Sequence, residues 1–164
     1  MKFSIRQAVA VPPAGAMAAY CSPSFYEGRP ARDDIAVREV VRHQATGDRV
    51  LLEVRFAFTG SVSPAVRAVV DPGKMSWITR TEILLAEGRS SWVVLPDHYP
   101  DRLSASGVYR FTEGDAGPGT CVVEVEGDLK VRVPLVGRSV EKVIVDDLRA
   151  YIVDEVAGIA DWRG

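Results

Sequence analysis

The sequence contains few of the residues on which metal and redox chemistry depend. It has two cysteines, Cys21 and Cys121, and two histidines among 164 residues. None of these four residues has the close spacing of a metal site or of a Cys-x-x-Cys redox pair. We therefore expect both thiols to be buried and reduced, and we expect neither a metal nor another cofactor.

Motifs that identify common enzyme classes are also missing. The chain has no Gly-x-Ser-x-Gly, no phosphate-binding loop and no dinucleotide-binding glycine pattern. Its glycines stand between apolar segments, where they indicate turns. A binding protein is therefore the better prediction, and an enzyme is kept as an alternative.

Neither charge nor hydrophobicity is concentrated in one part of the chain. The formal net charge is −2 and the basic residues are scattered, so nucleic acid and an anionic membrane are not expected as partners. No apolar run approaches the length of about 20 residues that crosses a bilayer. The apolar stretch near the N-terminus is interrupted by Ser4, Arg6 and Pro12, which argues against a signal peptide. We expect a cytoplasmic protein without stable membrane insertion.

What the sequence does contain is the balance of a globular protein. Hydrophobic residues make up 47% of the chain and charged residues 26%, which excludes a disordered chain and a membrane protein. The length suits one compact unit. We expect residues 1–164 to form a single domain.

Most of the chain alternates between apolar and polar residues with the period of half-buried β-strands. The predicted strands are 2–11, 35–44, 49–58, 75–85, 91–95, 103–112 and 120–133. Two short helical segments are expected after the first strand, at 14–20 and 23–26, and 113–119 is expected to be a hairpin loop. Residues 65–70 fit either a helical turn or an extended stretch.

After Pro134 the period changes to about 3.6, which predicts an amphipathic helix with Ser139 as its N-cap. The residues that share its apolar face are Val140, Val143, Ile144, Leu148, Tyr151, Ile152, Val156 and Ile159. A helix of about 20 residues is roughly 30 Å long and can cross a seven-stranded sheet. The prediction is an α+β fold in which a curved antiparallel sheet closes around this helix. One helix cannot fill such a concavity, so large side chains or a ligand must occupy the rest.

This order of elements resembles the START-like helix-grip superfamily, also called SRPBCC or pollen-allergen-like. The run VEVEGDLKVRVPLVG at 123–137, which continues into Val140-Glu141-Lys142, is similar to an uncharacterised bacterial branch of that superfamily. The resemblance covers essentially the full length. It implies a cavity for a hydrophobic or amphipathic small molecule, as in lipid carriers, plant hormone receptors and polyketide cyclases.

Strand parity and helical face predict which side chains point inward. The side chains predicted to bind the ligand are Phe56, Phe58, Trp77, Thr79, Trp92, Tyr109, Phe111, Ile144, Leu148, Tyr151, Ile152, Glu39 and His43. For each apolar one, simple core packing is the alternative. The further inward positions, Phe3, Ile5, Leu52, Val54, Ile83, Val123, Val125 and Val140, are assigned to the core.

Polar residues in inward positions are more informative, because an unpartnered polar group costs a few kcal/mol to bury. These residues are Gln7, Glu39, His43, Thr79, Thr81 and, on the helix, Glu155. They either converge on the polar end of a ligand or avoid burial. In the second case, Glu39 and His43 lie at a strand end in water, and Glu155 lies at a frayed helix end.

Three functions follow from these patterns. The first is binding or carriage of a lipid, a fatty acid or a polyketide-like compound. The second is a cyclase or dehydratase in which His43, Glu39 or Tyr109 transfers protons inside an apolar pocket. The third is a homodimer or adaptor whose interior is filled and whose surface around 63–70 makes the contacts.

Overall fold

A computed structural model describes residues 1–30, 32, 35–58, 60–61, 64–67 and 70–164, without the side chains of 35–38 and 65–66. Its strands are β1 (Lys2–Val9), β2 (Ile35–Thr46), β3 (Arg49–Phe58), β4 (Ser76–Leu84), β5 (Arg89–Pro96), β6 (Leu103–Gly114) and β7 (Gly117–Val131). Its helices are α1 (Pro13–Cys21), α2 (Pro23–Glu27), α3 (Pro64–Arg67) and α4 (Gly137–Ile159), with a 3₁₀ turn at Pro72–Lys74.

The seven strands form one curved sheet in the order β1-β7-β6-β5-β4-β3-β2, with every neighbouring pair antiparallel. Helix α4 lies across the concave side and packs mainly on β1 and β7. Helix α1 packs on β6 and β7, and α2 packs on β2. The predicted helix-grip fold, with two short helices after the first strand, is confirmed.

Strand parity identifies the buried face correctly. Val50, Ile83, Ser90, Tyr109 and Val125 are paired in one row across five neighbouring strands, and all five are buried. Opposite residues of an antiparallel ladder point to the same side of the sheet, so one inward residue places the whole row. The alternation of apolar and polar residues in each strand therefore determines which side of the sheet is buried.

Two glycines make room for aromatic rings on the concave face. Gly107 and Gly127 are paired across β6 and β7. A Cβ on Gly107 would lie 2.6 Å from the indole ring of Trp92, and a Cβ on Gly127 would collide with the ring of Phe3. The two rings thus lie directly over backbone that has no side chain, which is one reason for glycine inside a strand.

Helix α4 differs from the prediction at its start and on one face. It begins at Gly137 after Val136, so Ser139 lies inside the helix, and Val136 makes no side-chain capping bond. Val143, predicted on the apolar face, is 56% exposed, whereas Val145 is buried. The predicted face was too broad because α4 rests mainly on two strands, β1 and β7, and these bury only a narrow stripe of it.

The loops differ in smaller ways. Strands β6 and β7 extend to Gly114 and Gly117, so the loop predicted at 113–119 is reduced to a tight turn. Pro64–Arg67 form α3, which decides the first part of the open segment in favour of helix, whereas 68–69 lie outside the described residues. Within the described ranges no helix combines the length and apolar composition of a transmembrane span.

Both thiols are free and buried, as predicted. Burial raises the pKa of the Cys21 thiol to about 11 and also raises the pKa of Cys121. Each thiol is therefore protonated near neutral pH and behaves as a small apolar side chain.

Candidate ligand-binding site

Side chains on the concave face of the sheet are buried at one end of β4 and β5 and half-buried at the other. In β4, Ile83 is buried, whereas Thr79 and Trp77 are half-buried. In β5, Ser90 is buried and Val94 is half-buried. All five side chains point inward by register, so the loss of burial marks a part of the concave face that is less covered among the described residues.

Helix α4 also has half-buried apolar residues, although Val140 and Val145 in its N-terminal half are buried. Ile152 and Val156, in its C-terminal half, are buried, whereas Ile144, Leu148 and Tyr151 are half-buried while packing against the core. Tyr151 of α4 contacts Phe56, which pairs with Trp77, so half-buried residues of α4 and the accessible part of the concave face are neighbours. We call the surface that these residues form together the concavity. Its half-buried walls include Trp77, Thr79, Val94, Leu103, Val131, Ile144, Leu148 and Tyr151.

An aromatic wall runs along one side of the concavity. The ring of Trp77 stacks on that of Phe56 with 5.7 Å between centroids, and the ring of Tyr151 meets Phe56 edge-on at 5.8 Å. Phe56 is buried between its two half-buried neighbours. Strand β3, strand β4 and helix α4 therefore contribute to one continuous aromatic surface. Phe58, at the end of β3, is half-buried beyond it.

One residue of this wall, Tyr151, binds a buried carboxylate, that of Glu155. Glu155 is 4% exposed. The hydroxyl of Tyr109 donates a hydrogen bond to its Oε2 at 2.8 Å, and the hydroxyl of Tyr151 donates to its Oε1 at 3.0 Å. Tyr151 precedes Glu155 by one helical turn, so the two share a face, and Tyr109 reaches them from the inward row of β6. Glu155 thus belongs to the interior and not to a frayed helix end.

Further tyrosines surround this group. The Tyr20 ring lies 4.8 Å from that of Tyr109, and the Tyr26 hydroxyl donates to the Tyr20 carbonyl oxygen at 3.1 Å. Burial raises the pKa values of Tyr20, Tyr26 and Tyr109 well above the usual tyrosine range, and the negative charge of Glu155 raises them further. These phenols therefore remain protonated, and Tyr109 stays a hydrogen-bond donor to the Glu155 carboxylate.

Arg29 holds the helix segment that carries this carboxylate. Its Nη1 donates to the backbone carbonyl oxygens of Asp154 and Glu155 at 3.2 and 3.1 Å, and its Nη2 forms an ion pair with the Asp154 carboxylate at 3.2 Å. Its guanidinium also lies over the ring of Phe25 at 5.2 Å. Sequence periodicity does not identify Arg29, because this residue lies in a connecting segment without a periodic pattern.

The structure separates the predicted pair of Glu39 and His43. A register shift between Val40 and Arg42 inserts an extra residue into β2. As a result His43 pairs with the inward Leu52, whereas Glu39 pairs with Arg55 on the outer face. Both side chains are exposed. A bulge reverses parity, so the assumption that the two share one strand face was wrong.

The remaining predicted residues all lie on the inward side. Trp92, Phe111 and Ile152 are buried, and Thr81 is buried beside the half-buried Thr79. The indole nitrogen of Trp92 is buried without a hydrogen-bond partner among the described residues, and so is the side-chain oxygen of Gln7. In the described part of the chain, no cluster of three or more His, Cys, Asp or Glu side chains could hold a metal ion.

A curved antiparallel sheet that grips a long C-terminal helix defines the START-like helix-grip class of proteins. A START superfamily protein from Mycobacterium smegmatis is similar, with 14% identity and a TM-score of 0.59 over 98% of this chain and 97% of that one. The Zhui aromatase/cyclase from Streptomyces sp. R1128 gives 13% identity and a TM-score of 0.67 over 98% and 93%. Norcoclaurine synthase from Thalictrum flavum has 14% identity and a TM-score of 0.62 over 95% of this chain and 83% of that one. Likeness at these identities shows the fold.

Within this class the chain belongs to the DUF2505 family, which is described as a protein of unknown function, and the match covers residues 4–162. No curated protein matches the sequence. The resemblance seen in the sequence is therefore confirmed in two respects, the helix-grip fold and an uncharacterised family, and the function has to be argued from the site.

Proposed function

We propose that residues 1–164 form one domain that binds and carries a hydrophobic small molecule in the concavity. The observation that carries this proposal is the row of inward-facing apolar side chains, such as Trp77 and Leu148, that remain half-buried on facing elements. Covering apolar surface stabilises a complex by about 25 cal/mol per Å². A small apolar molecule would complete the burial that helix and sheet leave unfinished.

The residues predicted to bind the ligand divide into two groups under this proposal. Phe56, Trp77, Leu148 and Tyr151 lie along the concavity and are proposed to contact the apolar body of the ligand. The second group is deeply buried and is proposed to support the first by packing in the core; it includes Trp92, Phe111 and Ile152. Small aromatic compounds are reasonable occupants, because one similar structure is that of norcoclaurine synthase with dopamine and hydroxybenzaldehyde.

Native mass spectrometry of the protein purified from its host tests the proposal, together with titration by Nile red, an uncharged dye that fluoresces in apolar surroundings. We expect a co-purifying small molecule or saturable binding of the dye at a one-to-one ratio. A protein that carries no ligand and binds neither Nile red nor a panel of fluorescent lipids would contradict the proposal.

A second candidate is a cyclase or dehydratase, and the buried Tyr109–Glu155 hydrogen bond is the observation that favours it. A carboxylate can accept a proton from carbon, and a phenol can donate one to a carbonyl oxygen. His43 and Glu39 have no part in this version, because both are exposed. Conversion of a poly-β-ketone substrate that Glu155→Gln abolishes, with binding retained, would support the enzyme.

The third hypothesis, a homodimer or adaptor acting through 63–70, concerns a segment that lies partly outside the described residues. Sedimentation velocity tests it directly, since a monomer at all concentrations contradicts the homodimer. We also propose that the protein resides in the cytoplasm, where two unpaired thiols stay reduced. Fractionation of host cells tests that location.

A further inference from the structure

Strand β2 forms an open edge of the sheet. In the sheet that the structure describes, β2 stands last, with β3 as its one neighbouring strand. Residues 41–49, which include the end of β2 and its turn into β3, are all exposed, and the apolar side chain of Val41 is 39% exposed. An edge of this kind carries backbone N–H and C=O groups that can pair with a strand of another chain.

The bulge in β2 places two opposite charges on one face of this edge. Glu39 pairs with Arg55 and Arg42 pairs with Glu53, and both of these β3 residues point to the outer face. Residues three apart in a regular strand point to opposite faces, but the register shift between Val40 and Arg42 brings Glu39 and Arg42 to the same one. The edge thus presents a negative and a positive side chain on the outer face.

The neighbours on β3 do not neutralise these charges. The β3 neighbour of Glu39 is Arg55, whose Nη1 forms an ion pair with Asp97 at 2.6 Å. The β3 neighbour of Arg42 is a glutamate, whose carboxylate forms an ion pair with Arg80 at 2.6 Å. Both of the nearest opposite charges are therefore engaged by residues further along the sheet.

The two charges at the edge are accessible to another molecule. Within the part of the chain that the structure describes, the Glu39 carboxylate takes part in no ion pair or hydrogen bond. Arg42 donates from Nη2 to the side-chain oxygen of Gln44 at 3.0 Å and forms no ion pair with a described residue. Both side chains are exposed. Each can therefore meet an opposite charge from another chain.

A second copy of the same strand supplies these charges in the required order. When two copies of β2 lie antiparallel and their pairing is centred between Glu39 and Arg42, Glu39 of each copy stands opposite the partner's Arg42. The two contacts are equivalent, as an interface with twofold symmetry requires. The Cβ atoms of directly opposite residues in an antiparallel pair are about 5 Å apart, and opposite charges there stabilise the pair.

We propose that the chain forms a homodimer in which the β2 edges of two copies pair antiparallel, with Glu39 of each copy opposite the partner's Arg42. The inference goes beyond the proposed binding function and does not depend on it. The surface is also different from residues 63–70. One strand edge buries a small area, so we expect a transient dimer that forms as the protein concentration rises.

Charge reversal tests this pairing. Glu39→Arg places like charges opposite each other at both contacts, and so does Arg42→Glu, so each variant alone should dimerise about tenfold more weakly than the wild type. In an equimolar mixture the arginines of the first variant meet the glutamates of the second, and a mixed dimer of about wild-type affinity should form. Sedimentation velocity at increasing concentrations measures the affinities, and native mass spectrometry distinguishes the mixed dimer by its mass.

Two variants with the same changes of charge are the matched controls. Glu82→Arg and Arg89→Glu reverse exposed residues of β4 and β5, away from the β2 edge. Alone and mixed, they should associate like the wild type, which separates a local contact from an effect of net charge. Circular dichroism establishes that each variant is folded.

Hydrogen exchange of the wild type locates the contact independently. The backbone amides of 39–46 should become more protected as the protein concentration rises, whereas those of β1, at the other edge of the sheet, should not. Protection that rises elsewhere and not in 39–46 would contradict the proposed surface.

The remaining outcomes are equally distinct. A wild-type chain that stays monomeric at every concentration overturns the dimer, whatever Nile red shows. If the chain dimerises but Glu39→Arg does not weaken the association, the assignment to the β2 edge is overturned. If both variants dimerise weakly and their mixture does no better, the pairing of Glu39 with the partner's Arg42 is wrong. Absence of Nile red binding contradicts the proposed binding function alone.

Discussion

Tyr109 on strand β6 and Glu155 on helix α4 are joined by a hydrogen bond of 2.8 Å, although 46 residues separate them in the sequence. The bond ties the helix to the middle of the sheet at a point where both partners are buried. Since Tyr151 holds the other carboxylate oxygen, the helix is positioned by a polar contact as well as by apolar packing.

Tyr109→Phe should destabilise the protein by about 1–3 kcal/mol, because it leaves a buried carboxylate oxygen without this donor. Tyr99→Phe is the control: it makes the same chemical change at a half-exposed residue whose hydroxyl accepts a long bond, 3.4 Å, from the Asp71 amide. Its effect should stay within about 0.5 kcal/mol. Urea unfolding measures both. Equal losses would show that the Tyr109–Glu155 bond contributes nothing particular.

The grip of α4 on the sheet can be tested with two adjacent residues. Ile152→Asp places a carboxylate in the core and should remove several kcal/mol from a total of about 5–15 kcal/mol. Val153→Asp puts the same group at a site that is 44% exposed, so it should change stability little. Melting temperatures and soluble yield are the measurements. Similar melting of the two variants would mean that α4 does not close the sheet as described.

Gly107→Ala should destabilise the protein by about 1–3 kcal/mol and shift tryptophan fluorescence, because the new methyl group would meet the Trp92 ring and the Glu126 carbonyl oxygen. Gly119→Ala is the control, since a Cβ there meets nothing within 4 Å. Guanidinium unfolding followed by fluorescence measures both changes. A neutral Gly107→Ala would argue against close contact between the indole and the strand.

Filling the concavity should prevent binding without unfolding the protein. Leu148→Trp adds volume to a half-buried position that faces the interior, and we expect Nile red affinity to fall about tenfold, or by about 1.4 kcal/mol. Val153→Trp adds the same side chain to the exposed side of the same helix and should leave affinity unchanged. Fluorescence titration compares them. If both variants bind the dye like the wild type, it binds elsewhere.

Stability should fall as the pH rises from about 9 to about 11. Burial raises the pKa of the Cys21 thiol from its ordinary value of 9.0 to about 11, so over this range the unfolded chain releases a proton that the folded chain keeps. Loss of protons from the unfolded state favours unfolding. Cys21→Ala should flatten the dependence of the melting temperature on pH between 9 and 11. The buried tyrosines extend the decline above pH 10 in both proteins.

Much of this architecture is local in origin and was therefore predictable. The alternation in β3 assigned Leu52, Val54 and Phe56 to the core side without any partner strand, since side chains of a strand alternate strictly. The change of period after Pro134 located α4 in the same way. Inward positions such as Tyr109 and Tyr151 followed from these periods, and both lie beside the carboxylate of the site.

Contacts between distant parts of the chain required the folded structure. The bulge in β2 places Glu39 and His43 on different faces. Pairing with β3 sets the register, and the periodicity of β2 alone does not predict the bulge. Val143 is exposed and Val145 buried because α4 rests mainly on β1 and β7, two strands from distant parts of the sequence. Glu155 interrupts the apolar face of α4 in the sequence. It is buried because Tyr109 from a distant strand reaches its carboxylate and Arg29 binds the backbone beside it. A periodic pattern specifies which face of an element is apolar, whereas the polar partners that allow a charge inside come from other elements, and only their packing brings them together.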